Sequence, residues 1–264
     1  METIRSKDGT PLAYWHSGAG TPLLLVHGTV GDHLTWTPVL AALERHFSVY
    51  AMDRRGRGHS GDAEAYALER EWEDVAAVID AIGGAVDVVG HSFGGTCALE
   101  ATRLTAHVRR LILYEPPLPV GQRYWPPEFS ARMHALLNAG EREQALLLFF
   151  RDIVKMPPHE IAAAQALPTW PARVAAVHTI PRELQGLDRY AFDPGRFSRL
   201  ETPTALFVGG DSPPSMRTIA ETLHAALPNS QLVVLPGQRH VAVRTAPELF
   251  VQAVVRFCTA ATAG

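Results

Sequence analysis

The residues best suited to chemistry lie in the segment GHSFG at positions 90–94, which has the pattern GxSxG. This segment directly follows a buried-type apolar run at 86–89 and precedes a helix-like stretch at 95–105. A chain that turns from a strand into a helix within one or two residues strains its backbone and exposes the central side chain. Ser92 is therefore predicted to be a nucleophile. The pattern alone is weak, and the alternative is a glycine-rich turn with an incidental serine.

A nucleophilic serine requires a general base and an acid that orients the base. His240 follows the apolar run 231–235 after a short loop, which predicts a position on the same rim of a parallel sheet as Ser92. Asp211 ends the preceding apolar run on that rim and is the predicted acid. The chain order is then Ser, Asp, His, as in hydrolases whose serine lies on a strand-to-helix turn. Other histidines lie in helix-like stretches, where solvated or capping roles are expected: His46, His107, His134 and His224.

Attack on a carbonyl also requires donors for the oxyanion, which backbone N–H groups supply in many enzymes. The N–H of Phe93, at the start of the predicted helix, is one candidate. The second is predicted at Thr29, in the loop after the apolar run 23–26, with Val30 behind it. His27 begins this loop at the end of a buried strand, and it is expected to order the loop by hydrogen bonds instead of acting as a base.

The elements that must position these residues alternate along the chain. Continuous apolar runs predict strands buried on both faces, and helix-like segments separate them. A short hairpin is predicted at the beginning, turned at residues 7–10 by an Asp-Gly pair. The alternation favours an α/β fold with a mostly parallel sheet covered by helices on both faces. The predicted strands are 3–6, 12–16, 23–26, 48–52, 86–89, 111–113, 205–208 and 231–235.

One interval breaks this alternation. Residues 116–201 contain helical patterns and many prolines but no convincing buried strand. Proline starts or stops helices, and it divides the interval into predicted helices at 128–139, 141–155, 159–167 and 170–180. We interpret 116–201 as a helical cap inserted into a core formed by 1–115 and 202–264. A cap in this position would lie over the carboxyl ends of the strands, where ligands of α/β sheets bind.

Large side chains in and near this cap could line an apolar pocket. The alternative for each is packing within the cap or against the core. Phe149 and Phe150 are adjacent, so only one of the two is expected to line a cavity. The candidate substrate-binding residues are Val30, Trp36, Trp125, Phe149, Trp170 and His178.

Composition restricts the function classes. Of 264 residues, 47% are hydrophobic and 19% charged, which favours one large globular unit. The formal net charge of −3 argues against a nucleic-acid partner. No apolar stretch is long enough to span a membrane, and no signal peptide is recognisable, so a cytoplasmic location is expected. The two cysteines, Cys97 and Cys258, are expected to be packing residues, without a disulfide or metal role. The expected partner is a small-molecule substrate, and nothing in the sequence indicates an oligomeric state.

The motifs HGTVGDHLTW, DRRGRGHS, GHSFGG, GGDSPP and GQRH occur in an order that resembles the α/β-hydrolase superfamily, of the short bacterial type with a lid. The resemblance covers nearly the whole chain. It implies an eight-stranded sheet, a helical cap, and a Ser-His-Asp triad that needs no cofactor and no metal. By the same resemblance, Asp53 and Arg54 would brace a loop, and Trp36 would pack under the cleft. A serine at position 92 excludes relatives that require aspartate there, such as epoxide hydrolases and haloalkane dehalogenases.

Two departures from the family pattern concern the triad. The segment Gly209-Gly210-Asp211 is one residue shorter than the more common spacing before the acid, so Glu115, at the end of an earlier strand, is the alternative acid. Arg239 replaces a common glycine beside His240, and a nearby cation would lower the pKa of the imidazole.

The predicted function is hydrolysis of a carboxylic ester or lactone of a small to medium, partly apolar compound. Two alternatives remain open at this stage. The same residues could perform lyase or carbon–carbon bond chemistry, because a fold does not fix a reaction. The chain could also be a ligand-binding receptor that retains the hydrolase framework.

Overall fold

The computed structural model describes residues 1–119 and 125–260, and within them a single eight-stranded sheet forms the centre of the fold. The strand order is β1-β2-β4-β3-β5-β6-β7-β8. The first two strands pair antiparallel, and β2 pairs antiparallel with β4, whereas every later pairing is parallel. The predicted fold class is confirmed. The strands are β1 (Glu2–Arg5), β2 (Pro11–Gly18), β3 (Thr21–Val26), β4 (Phe47–Met52), β5 (Val86–His91), β6 (Val108–Tyr114), β7 (Thr204–Gly209) and β8 (Ser230–Leu235).

The central strands are apolar at consecutive positions because both faces of the sheet are covered. In β3, Leu24 and Val26 belong to the core on one face, and Leu23 and Leu25 belong to the core on the other. All four side chains are fully buried. Successive side chains of a strand point to opposite faces, so a strand between two helical layers is apolar throughout.

Two sets of helices cover the faces of the sheet. The helices α2, α3 and α9 contribute to the first core, and α1, α10 and α11 contribute to the second. Cys97 and Cys258 are free and buried in these layers, which confirms their packing role. The helices of the core are α1 (Thr37–Leu43), α2 (Leu68–Ile82), α3 (Phe93–Ala101), α9 (Pro214–Ala226), α10 (Ala242–Thr245) and α11 (Pro247–Thr259).

The described residues between β6 and β7 form helices and no strand, and these helices are referred to below as the cap. Residues 120–124 of the predicted cap interval lie outside the described part of the chain. The predicted helix at 170–180 is wrong in extent, since it ends at Ala175 and a 3₁₀ turn leads into a further helix. Pro181 lies in the first turn of that helix and does not end a helix, because proline at the first turn removes no intrahelical hydrogen bond. These helices are α4 (Pro127–Asn138), α5 (Arg142–Asp152), α6 (Pro158–Gln165), α7 (Trp170–Ala175) and α8 (Ile180–Arg189).

A buried ionic cluster attaches α8 to the core. Nη2 of Arg54 lies 2.6 Å from Oε1 of Glu183 in α8 and 2.9 Å from Oε1 of Glu71 in α2. Arg57 pairs with both carboxylates. All four side chains are fully buried, with two positive and two negative charges, so each charge has a partner in a region that water does not reach.

Among the described residues, no helix combines the length and apolar character needed to cross a lipid bilayer.

Candidate active site

Ser92 occupies the turn between β5 and α3, and its backbone is in a conformation that L-residues rarely adopt. Its φ is 53° and its ψ is −130°. The N–H of Ser92 donates to the carbonyl of Tyr114 at 2.8 Å, which ties the turn to the end of β6. Gly28 approaches so closely that a Cβ at that position would lie 2.9 Å from the Cβ of Ser92. Gly28 therefore leaves space for the side chain of Ser92, which lines the cleft.

His240 is hydrogen-bonded to Glu115, the alternative acid of the sequence analysis. Nδ1 of His240 lies 2.6 Å from Oε2 of Glu115. A carboxylate accepts from Nδ1–H, so in the neutral imidazole the lone pair lies on Nε2. No hydrogen bond joins Ser92 to His240 within the described residues, although both side chains line the same cavities. Hydrogen bonds of this kind are often long before substrate binds and shorten in the complex.

The predicted role of Asp211 as the orienting acid does not fit the structure. Its side chain is exposed and makes no hydrogen bond to His240, whose Nδ1 is hydrogen-bonded to Glu115 instead. The backbone explains this position. Gly210 and Asp211 donate their N–H groups to Leu235 and Gln238, which keeps the segment beside the end of β8. With the short spacing after β7, the carboxylate of Asp211 is directed to solvent.

Glu115 has a strained backbone, and two hydrogen bonds fix its side chain. Its φ of 47° is unusual for a residue with a side chain, and such strain is common at functional positions. Oε1 accepts from the N–H of Gly209 at 2.8 Å, while Oε2 faces His240. Burial alone would raise the pKa of Glu115, but the hydrogen bond and charge of His240 outweigh it and lower that pKa. The carboxylate is therefore ionised at neutral pH, as a partner for an imidazolium must be.

Two further side chains hold the loop that carries His240. Tyr114 is buried; its hydroxyl donates to the carbonyl of Arg239 and accepts from the N–H of Ala242 at 3.1 Å. Nε2 of His91 donates to the carbonyl of His240 at 2.8 Å. Burial, and secondly the proximity of His240, lower the pKa of His91 to about 3, so this ring is a neutral support.

Some backbone N–H groups near Ser92 have no acceptor among the described residues, and two of them are the predicted oxyanion donors. They belong to Phe93, the first residue of α3, and to Thr29, in the loop after β3. Both residues line the smaller cavity beside Ser92, and Thr29 also lines the larger one. Free N–H groups that face a cleft next to a nucleophile can receive a negatively charged oxygen.

The residues expected to brace the loops do so. Nδ1 of His27 donates to the carbonyl of Gly28 at 2.8 Å, and its Nε2 accepts from the N–H of Arg54 at 3.0 Å. Burial, and then the charge of Arg54, lower the pKa of His27 to about 3. Asp53 accepts from the N–H groups of His33 and His59, at 2.7 Å each. His27 is thus a neutral structural residue, as predicted.

Two cavities meet at Ser92 and His240. The larger has a volume of about 410 Å³ and lies between the loop after β3, the cap and α10. The smaller, about 150 Å³, lies under α8 and beside Glu115. Phe149 lines both cavities and Trp125 lines the smaller, as predicted. A cleft with two pockets on either side of a nucleophile has room for both parts of a substrate that is cleaved between them.

Four of the predicted pocket residues line neither of these cavities. Val30 and Trp36 are buried in the core, where Trp36 packs edge-on against His91. Trp170 is buried within the cap and donates its indole N–H to Glu143 at 2.8 Å. His178 is exposed on the surface of the cap.

Adjacent residues in the cap helix do share a cavity. Phe150 lines the larger cavity together with Phe149, so the prediction that only one of them could do so is wrong. The cavity extends around the end of α5, where Val154 also contacts it. A helix end presents residues in more directions than the middle of a helix.

The larger cavity also contains two arginines that the sequence analysis missed. Arg173 from α7 and Arg244 from α10 line it among mostly apolar side chains. Their positions depend on how the cap helices lie over the core, and the sequence gives no separate signal for that.

Within residues 1–119 and 125–260, no group of three or more His, Cys, Asp or Glu side chains is arranged to hold a metal ion.

Comparison with known proteins agrees with this fold. The model of the alpha/beta hydrolase family matches residues 23–253. The putative carbamate hydrolase RutD of Escherichia coli O26:H11 is 29% identical over 241 residues, which cover 88% of this chain and 89% of that protein. An α/β hydrolase of known structure from Sphaerobacter thermophilus has a TM-score of 0.86 and 38% identity, over 98% of this chain and 100% of that one. The esterase RhEst1 from Rhodococcus sp. ECU1013 has a TM-score of 0.77 and 26% identity, over 98% of each chain.

Proposed function

Because the chain belongs to the α/β-hydrolase family, we propose that it is a serine hydrolase that cleaves a carboxylic ester or lactone through an acyl-enzyme. The observation that carries this proposal is the 2.6 Å hydrogen bond between Glu115 and Nδ1 of His240, beside a serine on a strained turn. It supplies the two supporting members of a triad on the rim where the nucleophile lies.

In the first step, the hydroxyl of Ser92 attacks the carbonyl carbon of the substrate. Nε2 of His240 takes the hydroxyl proton, and Glu115 stabilises the resulting imidazolium. The tetrahedral intermediate then releases its alcohol, which receives the proton from His240. Ser92 is left as an acyl ester.

In the second step, a water molecule gives a proton to His240 and attacks the acyl-enzyme. The acid product leaves, and the proton returns to Ser92. In both steps, the N–H groups of Phe93 and Thr29 donate to the oxyanion. Each such donor contributes about 3–4 kcal/mol of transition-state stabilisation in other enzymes.

The relatives support acyl chemistry in general terms. The similar proteins include a putative carbamate hydrolase and an esterase. Hydrolysis of a carbamate or of an ester proceeds at an acyl carbon that is bonded to an electronegative leaving group. The residues around Ser92 are suited to this step. The apolar walls of the two cavities favour a substrate with apolar parts on both sides of this carbon.

Ser92→Ala provides the test, with 4-nitrophenyl acetate as an activated ester. We expect turnover to fall by at least about 10³-fold, because removal of a triad member leaves only the contribution of the oxyanion donors and binding. Ser198→Ala, which removes an exposed hydroxyl distant from the cleft, is the matched control and should retain full activity. Circular dichroism must show that both variants are folded. Turnover by folded Ser92→Ala at more than a tenth of the normal rate would reject the proposal.

A further inference from the structure

The larger cavity has apolar walls but contains two positive charges. Phe149, Phe150 and Met156 are among its apolar lining residues. Arg173 and Arg244 line it as well, and both side chains are partly buried. Two like charges therefore border an otherwise mostly apolar cavity that also contains Ser92.

Arg173 makes no hydrogen bond or ion pair with the described residues, and Asp32 acts on its charge without forming an ion pair. Arg244 donates only one, to the backbone carbonyl of Glu160 at 3.3 Å, which is a neutral acceptor. A guanidinium carries five N–H donors in a planar fork, so most donors of this pair are unused. Both side chains are partly buried and border the cavity, so a negatively charged ligand group in the cavity could reach these unused donors.

The electrostatic environment of Arg173 favours an anion in this cavity. Burial, and then the proximity of Arg244, lower the pKa of Arg173, and Asp32 opposes this only in part. The carboxylate of Asp32 caps the turn at His33–Trp36, where it accepts from the N–H of Leu34 at 2.9 Å. A negative group between the two arginines would relieve their mutual repulsion.

We propose that Arg173 and Arg244 form a subsite for a carboxylate group of the substrate, in the same cavity as Ser92. This inference rests on the proposed function, because it names the substrate class of that site. The substrate is then an ester or lactone whose acyl or alcohol part ends in a carboxylate. Asp32 acts on the charge of Arg173 and Glu160 acts on the charge of Arg244, and this partial compensation suits a singly charged carboxylate better than a phosphate dianion.

A matched pair of esters tests the subsite. One is the 4-nitrophenyl monoester of glutaric acid, which has a free carboxylate, and the other is the same compound with that carboxylate methylated. The measured quantity is the ratio of kcat/KM for the free acid to kcat/KM for the methyl compound. Charge-assisted hydrogen bonds from an arginine in a cavity predict a ratio of about 10 to 100 for the unmodified enzyme.

In Arg173→Gln this ratio should fall to near one, and in Arg244→Gln it should fall in the same direction. The control is Arg151→Gln, which removes the same charge from an exposed position in the cap and should leave the ratio unchanged. A ratio near one in the unmodified enzyme overturns the subsite. So does an equal loss on both esters in Arg173→Gln.

Binding separates the failure of the subsite from the failure of the proposed function. Isothermal titration calorimetry of Ser92→Ala with monomethyl glutarate and with dimethyl glutarate needs no turnover. We expect tighter binding of the monomethyl compound, and the loss of this preference when Arg173→Gln is added. If the unmodified enzyme hydrolyses neither nitrophenyl ester, the proposed function fails, while this titration still decides the subsite. Equal binding of the two glutarates would refute the subsite alone.

Discussion

The substitution Glu115→Gln separates the two acids that the sequence offers for the triad. In the native site, Oε1 of Glu115 accepts from Gly209 N–H at 2.8 Å, and Oε2 accepts from Nδ1–H of His240 at 2.6 Å. Both neighbours are donors, so the residue must present two acceptors. Glutamine has nearly the same shape but only one acceptor oxygen, and its NH₂ group can only donate.

Each orientation of the glutamine has a defined penalty. If its oxygen faces Gly209, the NH₂ group donates to Nδ1 of His240 and forces the proton onto Nε2, where the ring can no longer accept from Ser92. If the oxygen faces His240, the NH₂ group opposes the Gly209 N–H, and a buried donor without a partner costs about 1–3 kcal/mol. In both cases the negative charge that stabilises the imidazolium is lost. A comparable substitution in a serine protease triad lowers kcat by about 10⁴-fold, and we expect a loss of about 10³- to 10⁴-fold here.

The assay is the rate of 4-nitrophenyl acetate hydrolysis at pH 8, with Asp211→Asn as the matched control. Because the side chain of Asp211 is exposed, its substitution should change kcat/KM by less than about twofold. Raising the pH should not restore Glu115→Gln, since the defect is the tautomer and the missing charge. A large loss in Asp211→Asn, with most of the activity retained in Glu115→Gln, would refute the assignment of the acid.

Three further substitutions test the framework of the site, with unfolding measured in urea. Tyr114→Phe removes a hydroxyl that is hydrogen-bonded to two backbone groups of the His240 loop. The free energy of unfolding should fall by about 1–3 kcal/mol, and kcat should also fall. Unchanged values would contradict the role of Tyr114 in holding this loop. Glu183→Gln leaves a buried excess of positive charge and should lower the free energy of unfolding by about 3–5 kcal/mol. The exposed control Glu221→Gln should lower it by less than about 1 kcal/mol. Similar losses in both variants would show that the cluster contributes little to stability. Burial, and then His240, hold the pKa of His91 at about 3, below its value of 6.5 in the unfolded chain, so the unfolded state takes up this proton first as the pH falls. The stability from neutral His91 is therefore present above pH 6.5 and is lost toward pH 3. Over this range the free energy of unfolding should fall by up to about 1.4 kcal/mol per pH unit, and His91→Gln should remove this dependence. Equal pH dependence of both proteins would contradict this prediction.

The fold could be predicted because its signals are local. Apolar runs that are continuous instead of alternating fix which strands are buried on both faces, and GxSxG between a strand and a helix fixes the turn at Ser92. His240 follows from its loop after the last strand. These inferences need only the order of elements along the chain.

The acid could not be decided from the chain alone, because it depends on the backbone at two strand ends. Gly209 gives its N–H to Glu115, and the short segment that follows turns the side chain of Asp211 outward. Two features of the sequence made Glu115 an alternative: the missing residue before Asp211, and a glutamate directly after a buried strand. Neither indicates which carboxylate reaches the imidazole.

The cap was the least predictable part of the site. Trp125 and Phe149 line the cavities as predicted, whereas Trp170 packs inside the cap and His178 faces outward. An aromatic residue has the same local pattern in either environment. Which of them reaches the cleft depends on the tertiary packing of the cap helices, and so does the position of Arg173.

The most direct test of the proposed chemistry is covalent labelling with a fluorophosphonate, followed by mass spectrometry of the intact protein and of its peptides. We expect one adduct per chain, located on Ser92 and absent from Ser92→Ala, with labelling slowed at least about 100-fold in both His240→Ala and Glu115→Gln. An adduct on another residue, or equally fast labelling when His240 or Glu115 is replaced, would contradict the assignment of Ser92, His240 and Glu115 as a catalytic unit.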